Sequence, residues 1–206
     1  MVKFIRNKVL FLLMLVAVFG ITFRVSAQAS SVALDSWYSN GNDVGYWSIS
    51  PKVYFTNLSN SMNISQYVSS AVDKWEAKGI DSSITTTPFN SNINFYAGTM
   101  AELNAVGFAY TTGINGLTQF DSKTYMTLAN SYYKIYKVEG VSSSTAREAG
   151  SEYYENVTLH EYGHSMGWMG HSDNSGSVMY SISMENNVNL QDDDVKQLLQ
   201  VYNAMR

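Results

Sequence analysis

The chain has 206 residues, a formal net charge of −4 and no cysteine, which excludes disulfides, thiolate metal sites and cysteine nucleophiles together. An acidic balance disfavours nucleic acid, whose phosphates need a basic face, and disfavours adhesion to anionic lipid. The length suits one ordinary domain, able to bury a core without covalent staples.

Residues 1–27 read as a signal peptide. Lys3, Arg6 and Lys8 form a basic start, an apolar run extends from Val9 to Phe23, and Val25-Ser26-Ala27 supplies the small-x-small pattern cut by signal peptidase. The run is shorter than the roughly 20 apolar residues of a spanning helix, and Arg24 interrupts it, so a membrane anchor is the weaker alternative. Cleavage leaves residues 28–206 as the mature domain. It removes four basic residues and no acidic one, so the charge falls from −4 to −8. A secreted, extracellular protein without membrane contact is expected, and the missing cysteines fit export from a bacterium better than an oxidising secretory pathway.

The mature part has no internal repeat and two prolines, Pro51 and Pro88, and nothing marks a domain boundary. From Lys52 to Thr56, Val53 and Phe55 alternate with more polar neighbours, which predicts a strand. Ile64, Val68, Ala71, Val72 and Trp75 recur at helical spacing, and Gly79 stands where a helix end wants a residue able to take positive φ. Alternation over Ile93–Tyr96, Val106–Tyr110 and Tyr125–Leu128 predicts three further strands of one sheet. A second helix is expected to start at Ser144 or Thr145, with Arg147 and Glu148 in its first turn, and to run to Met166. A third carries the stripe Val195, Leu198, Leu199 and Tyr202, preceded by Leu190. Asp192, Asp193 and Asp194 stand in its first turn, where the helix dipole favours negative charge; a solvated, dipole-matched start is the simpler reading than a metal site.

Every histidine lies in one stretch, His160-Glu161-Tyr162-Gly163-His164-Ser165-Met166-Gly167-Trp168-Met169-Gly170-His171. Histidines four apart on a helix are separated by about 40° around its axis, so both imidazoles share a face and can share an ion. Glu161 lies about 100° round from His160, placed to lean over the open side of a metal and hold a water. Gly167 is suited to end the helix in the left-handed conformation, and the returning segment would bring His171 to the ion. Three neutral imidazoles and a position left for water make a catalytic rather than a closed zinc site, and such a water has its pKa lowered to about 7.

These residues resemble the metzincin clan of metallopeptidases, and within it the matrixin-like (matrix metalloproteinase-type) branch. Such families show His-Glu-x-x-His-x-x-Gly-x-x-His followed by a methionine-containing turn. Here His171-Ser172-Asp173 and then Ser177-Val178-Met179-Tyr180 look like the matrixin run, and the helix through Tyr202 is similar to the matrixin C-terminal helix. The resemblance is close over about the last third of the chain. It implies an α+β fold: a mixed twisted sheet with an active-site helix, a backing helix and a C-terminal helix. It further implies one catalytic zinc on His160, His164 and His171, Glu161 as general base, Met179 as the apolar floor, and a protein or peptide substrate. Calcium has no support in the sequence, and a monomer is expected.

Two departures stand out. The family has two residues between the glycine and the third histidine, whereas this chain has three, Trp168, Met169 and Gly170. The loop must bulge to present His171. One residue adds up to about 3.5 Å of reach, and Gly170 is best able to absorb the kink. The second departure is latency, since a cysteine-switch propeptide needs a cysteine.

By likeness to such peptidases, a peptide is expected to bind extended along a sheet edge, for which Tyr125–Asn130 is a candidate. The loop from Tyr180 to Asn189, with Ile182, Met184 and Val188, is expected to wall an apolar pocket. Two alternatives compete. A thermolysin-like arrangement would use Glu185 as third ligand in place of His171, with Asp173 another substitute. A secreted zinc-binding module without proteolytic activity would need the histidines but not Glu161.

Overall fold

The helical stripe Val68, Ala71, Val72 and Trp75 is the buried face of helix α1 (Ser65–Glu76) in the computed structural model of the chain. The structure describes residues 45–58, 63–111, 114, 116–120, 126–129, 132–135, 138–144, 151–181 and 189–205. The expected export signal, Arg147, Glu148 and most of the 180–189 loop, with Ile182, Met184, Glu185 and Val188, lie outside them.

The strands are β1 (Gly45–Trp47), β2 (Lys52–Asn57), β3 (Ser83–Ile84), β4 (Ile93–Gly98), β5 (Gly116–Phe120), β6 (Met126–Ala129), β7 (Tyr132–Ile135) and β8 (Val138–Ser144). The other helices are α2 (Met100–Ala105), α3 (Ser151–Ser165) and α4 (Asp192–Met205). A five-stranded sheet runs β3-β2-β4-β8-β5 and a three-stranded one β1-β7-β6. In the larger sheet β2, β3, β4 and β8 are mutually parallel and β5 pairs antiparallel with β8. Parallel neighbours need crossovers, and α1 supplies the one from β2 to β3; on its other side β2 pairs with β4, with Val53 opposite Ile93 and Phe55 opposite Phe95. This is the expected α+β architecture, with mixed strands, α1 backing α3 and α4 closing the chain.

One core joins sheet and helices. Val53, Ile93 and Phe95 pack with Trp75 of α1, Leu159 and Tyr162 of α3, and Leu198 and Val201 of α4. Trp75 does more than fill space, because its indole Nε1–H donates to the Leu159 carbonyl at 3.2 Å. Gly79 takes φ +89°, and the Ile80 N–H reaches back to the Trp75 carbonyl, so α1 ends as expected.

Three expectations are corrected. Val106–Tyr110 is not a strand: it returns irregularly from α2, and Phe108 and Tyr110 join Leu103 in a small second core. Asn104 replaces the ladder there, its side chain accepting from the Tyr110 N–H at 2.7 Å and donating to the Tyr110 carbonyl at 3.2 Å. β6, within the expected Tyr125–Leu128 strand, belongs to the smaller sheet. Ser144 ends β8 rather than capping a helix, and the described part of α3 starts at Ser151. Helix α2 was legible in principle, since Thr99 and Glu102 form a reciprocal capping box.

The C-terminal end of α3 is tied down by distant parts of the chain. A helix end leaves its last carbonyls without intrahelical donors. Here the Ser165 carbonyl accepts from Trp47 Nε1–H at 2.9 Å, Met166 from the Tyr202 hydroxyl at 2.7 Å, and Gly167 from the Gly45 N–H at 2.6 Å. Gly167 itself has φ +122°, and a Cβ there would collide with the Gly45 backbone. Tyr202→Phe should therefore destabilise the fold by about 1–3 kcal/mol by orphaning a buried carbonyl. Gly167→Ala should cost more, because strain of about 1–3 kcal/mol adds to the clash. Thermal unfolding of both variants checks the order, and an unchanged midpoint in Gly167→Ala would contradict it.

Candidate metal centre and active-site cleft

His160 and His164 lie on α3 one helical turn apart, and their Nε2 atoms approach to 3.1 Å. Each ring is oriented by its other nitrogen. His160 Nδ1–H donates to the Val178 carbonyl at 2.7 Å and His164 Nδ1–H to the Trp168 carbonyl at 2.6 Å. A carbonyl oxygen only accepts, so Nδ1 carries the proton and Nε2 is left with a bare lone pair. Two lone pairs facing each other at 3.1 Å repel unless a cation stands between them.

His171 completes the group. Its ring lies 5.3 Å from that of His160 and 5.1 Å from that of His164, nearly parallel to the first and perpendicular to the second. One ligand atom from each of the three falls within 4.8 Å of the others. Tetrahedral zinc with Zn–N bonds of about 2.0–2.1 Å spaces its nitrogens roughly 3.3 Å apart, so the closest pair is at ligand spacing and His171 needs only a small approach. The donor set fits zinc. Among the described residues no second cluster of histidine, aspartate and glutamate gathers in this way. Asp173 is exposed and outside the group.

The extra residue before His171 is absorbed between two anchors. The Trp168 N–H is held by the Gly163 carbonyl at 3.1 Å, and the Ser172 N–H by the Met179 carbonyl at 2.7 Å. Between them run Met169, a buried Gly170 and His171, whose ring stands beside those of His160 and His164. The left-handed turn that starts the reversal is taken at Gly167.

Met179 is fully buried beneath this arrangement, with its sulfur against Gly163. A side chain at residue 163 would strike both Met179 and Trp75, so the glycine lets the methionine turn press against the helix between the two histidines. The turn is fastened in its place by α4. Ser177 accepts from the Met179 N–H at 2.9 Å and donates to the Asp194 carboxylate, which also accepts from the Gln191 N–H at 2.7 Å. Burial pushes the Asp194 carboxyl up from its ordinary value, against the opposing pull of Ser177 and of the Gln191, Val178 and Met179 N–H groups. Asp194 is thus a buried clip rather than a solvated start, whereas Asp192 is exposed and paired with Lys78.

Burial sets the electrostatics. It lowers His160 to about 4 despite the Val178 hydrogen bond, with His171 adding to the fall. His164 is pushed well below its usual value by burial and then by His160, and His171 is lowered by burial. All three are therefore neutral and ready to ligate at neutral pH. Burial raises the Glu161 carboxyl to about 8, opposed by a hydrogen bond from Thr118.

Glu161, His164 and His171 share a cleft of about 340 Å³ with Gly116, Leu117, Thr118, Phe120, Trp168 and Met169. The edge strand along it is β5, not β6, which lies in the other sheet. Sequence reasoning missed Gly116 and Thr118 because they match no motif. It also missed the Val178 and Trp168 carbonyls, whose service to the histidines no side-chain pattern announces.

A search of curated proteins returns no match to this chain. The family model for peptidase family M10, described as matrixin, matches residues 47–203, which takes in α1, every strand but β1, the three histidines, the methionine turn and nearly all of α4. The chain belongs to the matrixin family of metallopeptidases.

Proposed function

We propose that this protein is a secreted zinc-dependent endopeptidase in which His160, His164 and His171 hold the metal and Glu161 is the general base. The supporting observation is the convergence of three imidazole donors to within 4.8 Å, with Glu161 lining the same cleft as two of them, His164 and His171. Zinc bound there would polarise a substrate carbonyl and lower the pKa of a water molecule. The chain's own residues supply the rest.

β5 lies at the edge of its sheet, where one side of its backbone can pair with an added strand. A peptide laid along it passes over Glu161, His164 and His171. Leu117, Phe120, Trp168 and Met169 give the cleft apolar walls that exclude water from a bound chain. Glu161 takes a proton from water at one carboxylate oxygen and delivers it to the departing amine. Met179 serves as the apolar floor and makes no contact with substrate.

The same reading has residues 1–27 removed on export from a bacterial cell and residues 28–206 acting as a monomer. Lys3, Arg6, Lys8 and the apolar run after them support the export signal.

Casein zymography tests the proposal. Lysis should disappear with a chelator and return with added zinc, and a protein that binds zinc without cutting would leave the gel intact throughout. Glu161→Gln should keep one zinc per chain and lose at least about 100-fold in turnover, the lower bound for a positioned base; near-normal turnover removes Glu161 from its role. His171→Ala should weaken zinc binding by more than the roughly 10–100-fold typical of losing an outer partner. Competition against a chromophoric chelator measures it, and unchanged affinity would point to another third ligand.

A further inference from the structure

Glu161 is gripped from β5 in a way that the peptidase reading by itself does not require. Thr118 Oγ1 lies 2.8 Å from Glu161 Oε2 and 3.0 Å from the main-chain oxygen of the same residue. Two positions earlier, Gly116 faces the same carboxyl group: a Cβ built there would sit 2.8 Å from Glu161 Cδ and closer still to Oε1. Residues i and i+2 of a strand project to one face, so a Gly-x-Thr segment presents Glu161 with a gap and then with a hydroxyl. The gap admits the carboxylate and the hydroxyl holds one of its oxygens.

The geometry points to Thr118 as a positioning residue for the base, with Gly116 as the space that makes the position available. This rests on the reading of Glu161 as the general base. A glutamate has three rotatable side-chain bonds, and left alone in a cleft its carboxylate samples several rotamers. Thr118 selects one by fixing Oε2, which orients the plane of the carboxylate and therefore the direction of Oε1.

The second acceptor gives the contact a further property. The hydroxyl has one proton and two acceptors, both on Glu161. While the side chain is a carboxylate, the proton goes to Oε2, where the charge makes the bond stronger. Once the carboxyl group has taken a proton, the hydroxyl can turn to the main-chain oxygen by rotation of its hydrogen alone. That rotation moves no heavy atom.

The test is steady-state cleavage of a fluorogenic peptide chosen from casein cut sites, run on the zinc-loaded protein beside Glu161→Gln. Thr118→Val replaces the hydroxyl with a methyl of the same shape and is expected to lower kcat about 10- to 100-fold, the usual cost of losing an outer partner of a metal-site group. KM and the one-zinc stoichiometry should hold, and Thr118→Ser should recover most of the lost kcat. If Thr118→Val folds poorly, Thr118→Ser against Thr118→Ala gives the same comparison, since both lack the methyl and differ in the hydroxyl. Equal kcat in the paired variants, or a loss carried by KM or zinc content, overturns the role given to Thr118. If Glu161→Gln itself keeps its turnover, the base assignment fails instead, and the two failures are distinct.

Discussion

The site depends on two hydrogen bonds from imidazole to main-chain carbonyl, His160 to Val178 and His164 to Trp168. Neither acceptor is on the helix that carries the histidines. One belongs to the methionine turn and the other to the reversal after Gly167. The helix sets the spacing of the two rings, but a ring on a single Cβ–Cγ bond can still rotate, and these carbonyls set which nitrogen faces inward and which carries the proton. With the tautomer settled, the inward nitrogens present lone pairs at a separation that repels unless a cation intervenes.

That dependence explains why so much of the molecule is devoted to the end of one helix. The three carbonyls from Ser165 to Gly167 are caught by the indole of Trp47, the hydroxyl of Tyr202 and the amide of Gly45. These donors come from opposite ends of the described chain. On the other side, Asp194 at the start of α4 grips Ser177 and the Gln191 amide, and so fastens the turn that supplies the Val178 carbonyl. A shift at either anchor would be felt at the rings. The cost of burying the Asp194 carboxylate is offset in part by donors that converge on it, which fits a role in locating a turn rather than in stability alone.

Around that frame the cleft is assembled from a helix, a loop and a strand. His160, Glu161 and His164 ride on a buried helix and His171 on a loop. The loop is nonetheless fastened at both ends, at Trp168 to the helix and at Ser172 to the methionine turn. The one-residue excess over the family spacing lies between these two fixed points, and His171 still joins the ligand group. The fourth component, β5, meets the helix through Glu161 itself, so the strand proposed to receive substrate and the residue proposed to handle its protons are in direct contact.

What the sequence determined by itself was what local spacing can encode. Helical periodicity gave α1 and α4, Gly79 and Gly167 gave the two left-handed ends, and the histidine pattern gave the candidate ligands and base, because an α-helix fixes the angle between residues four apart. The matrixin likeness was legible for the same reason, being carried by one continuous run from His160 to Met179. What only the tertiary structure decided was everything that depends on a partner distant in the chain. The alternation at Val106–Tyr110 suggested a strand, but Asn104 satisfied that backbone and the ladder formed elsewhere. Asp194 read as a surface charge until Ser177 and the methionine turn were brought against it. Gly116 and Thr118 carried no signal, since nothing in a linear pattern says which side chain a strand will meet across a cleft. Period and spacing are written in neighbouring residues, whereas pairing depends on how buried polar groups find donors and acceptors once the whole chain has packed.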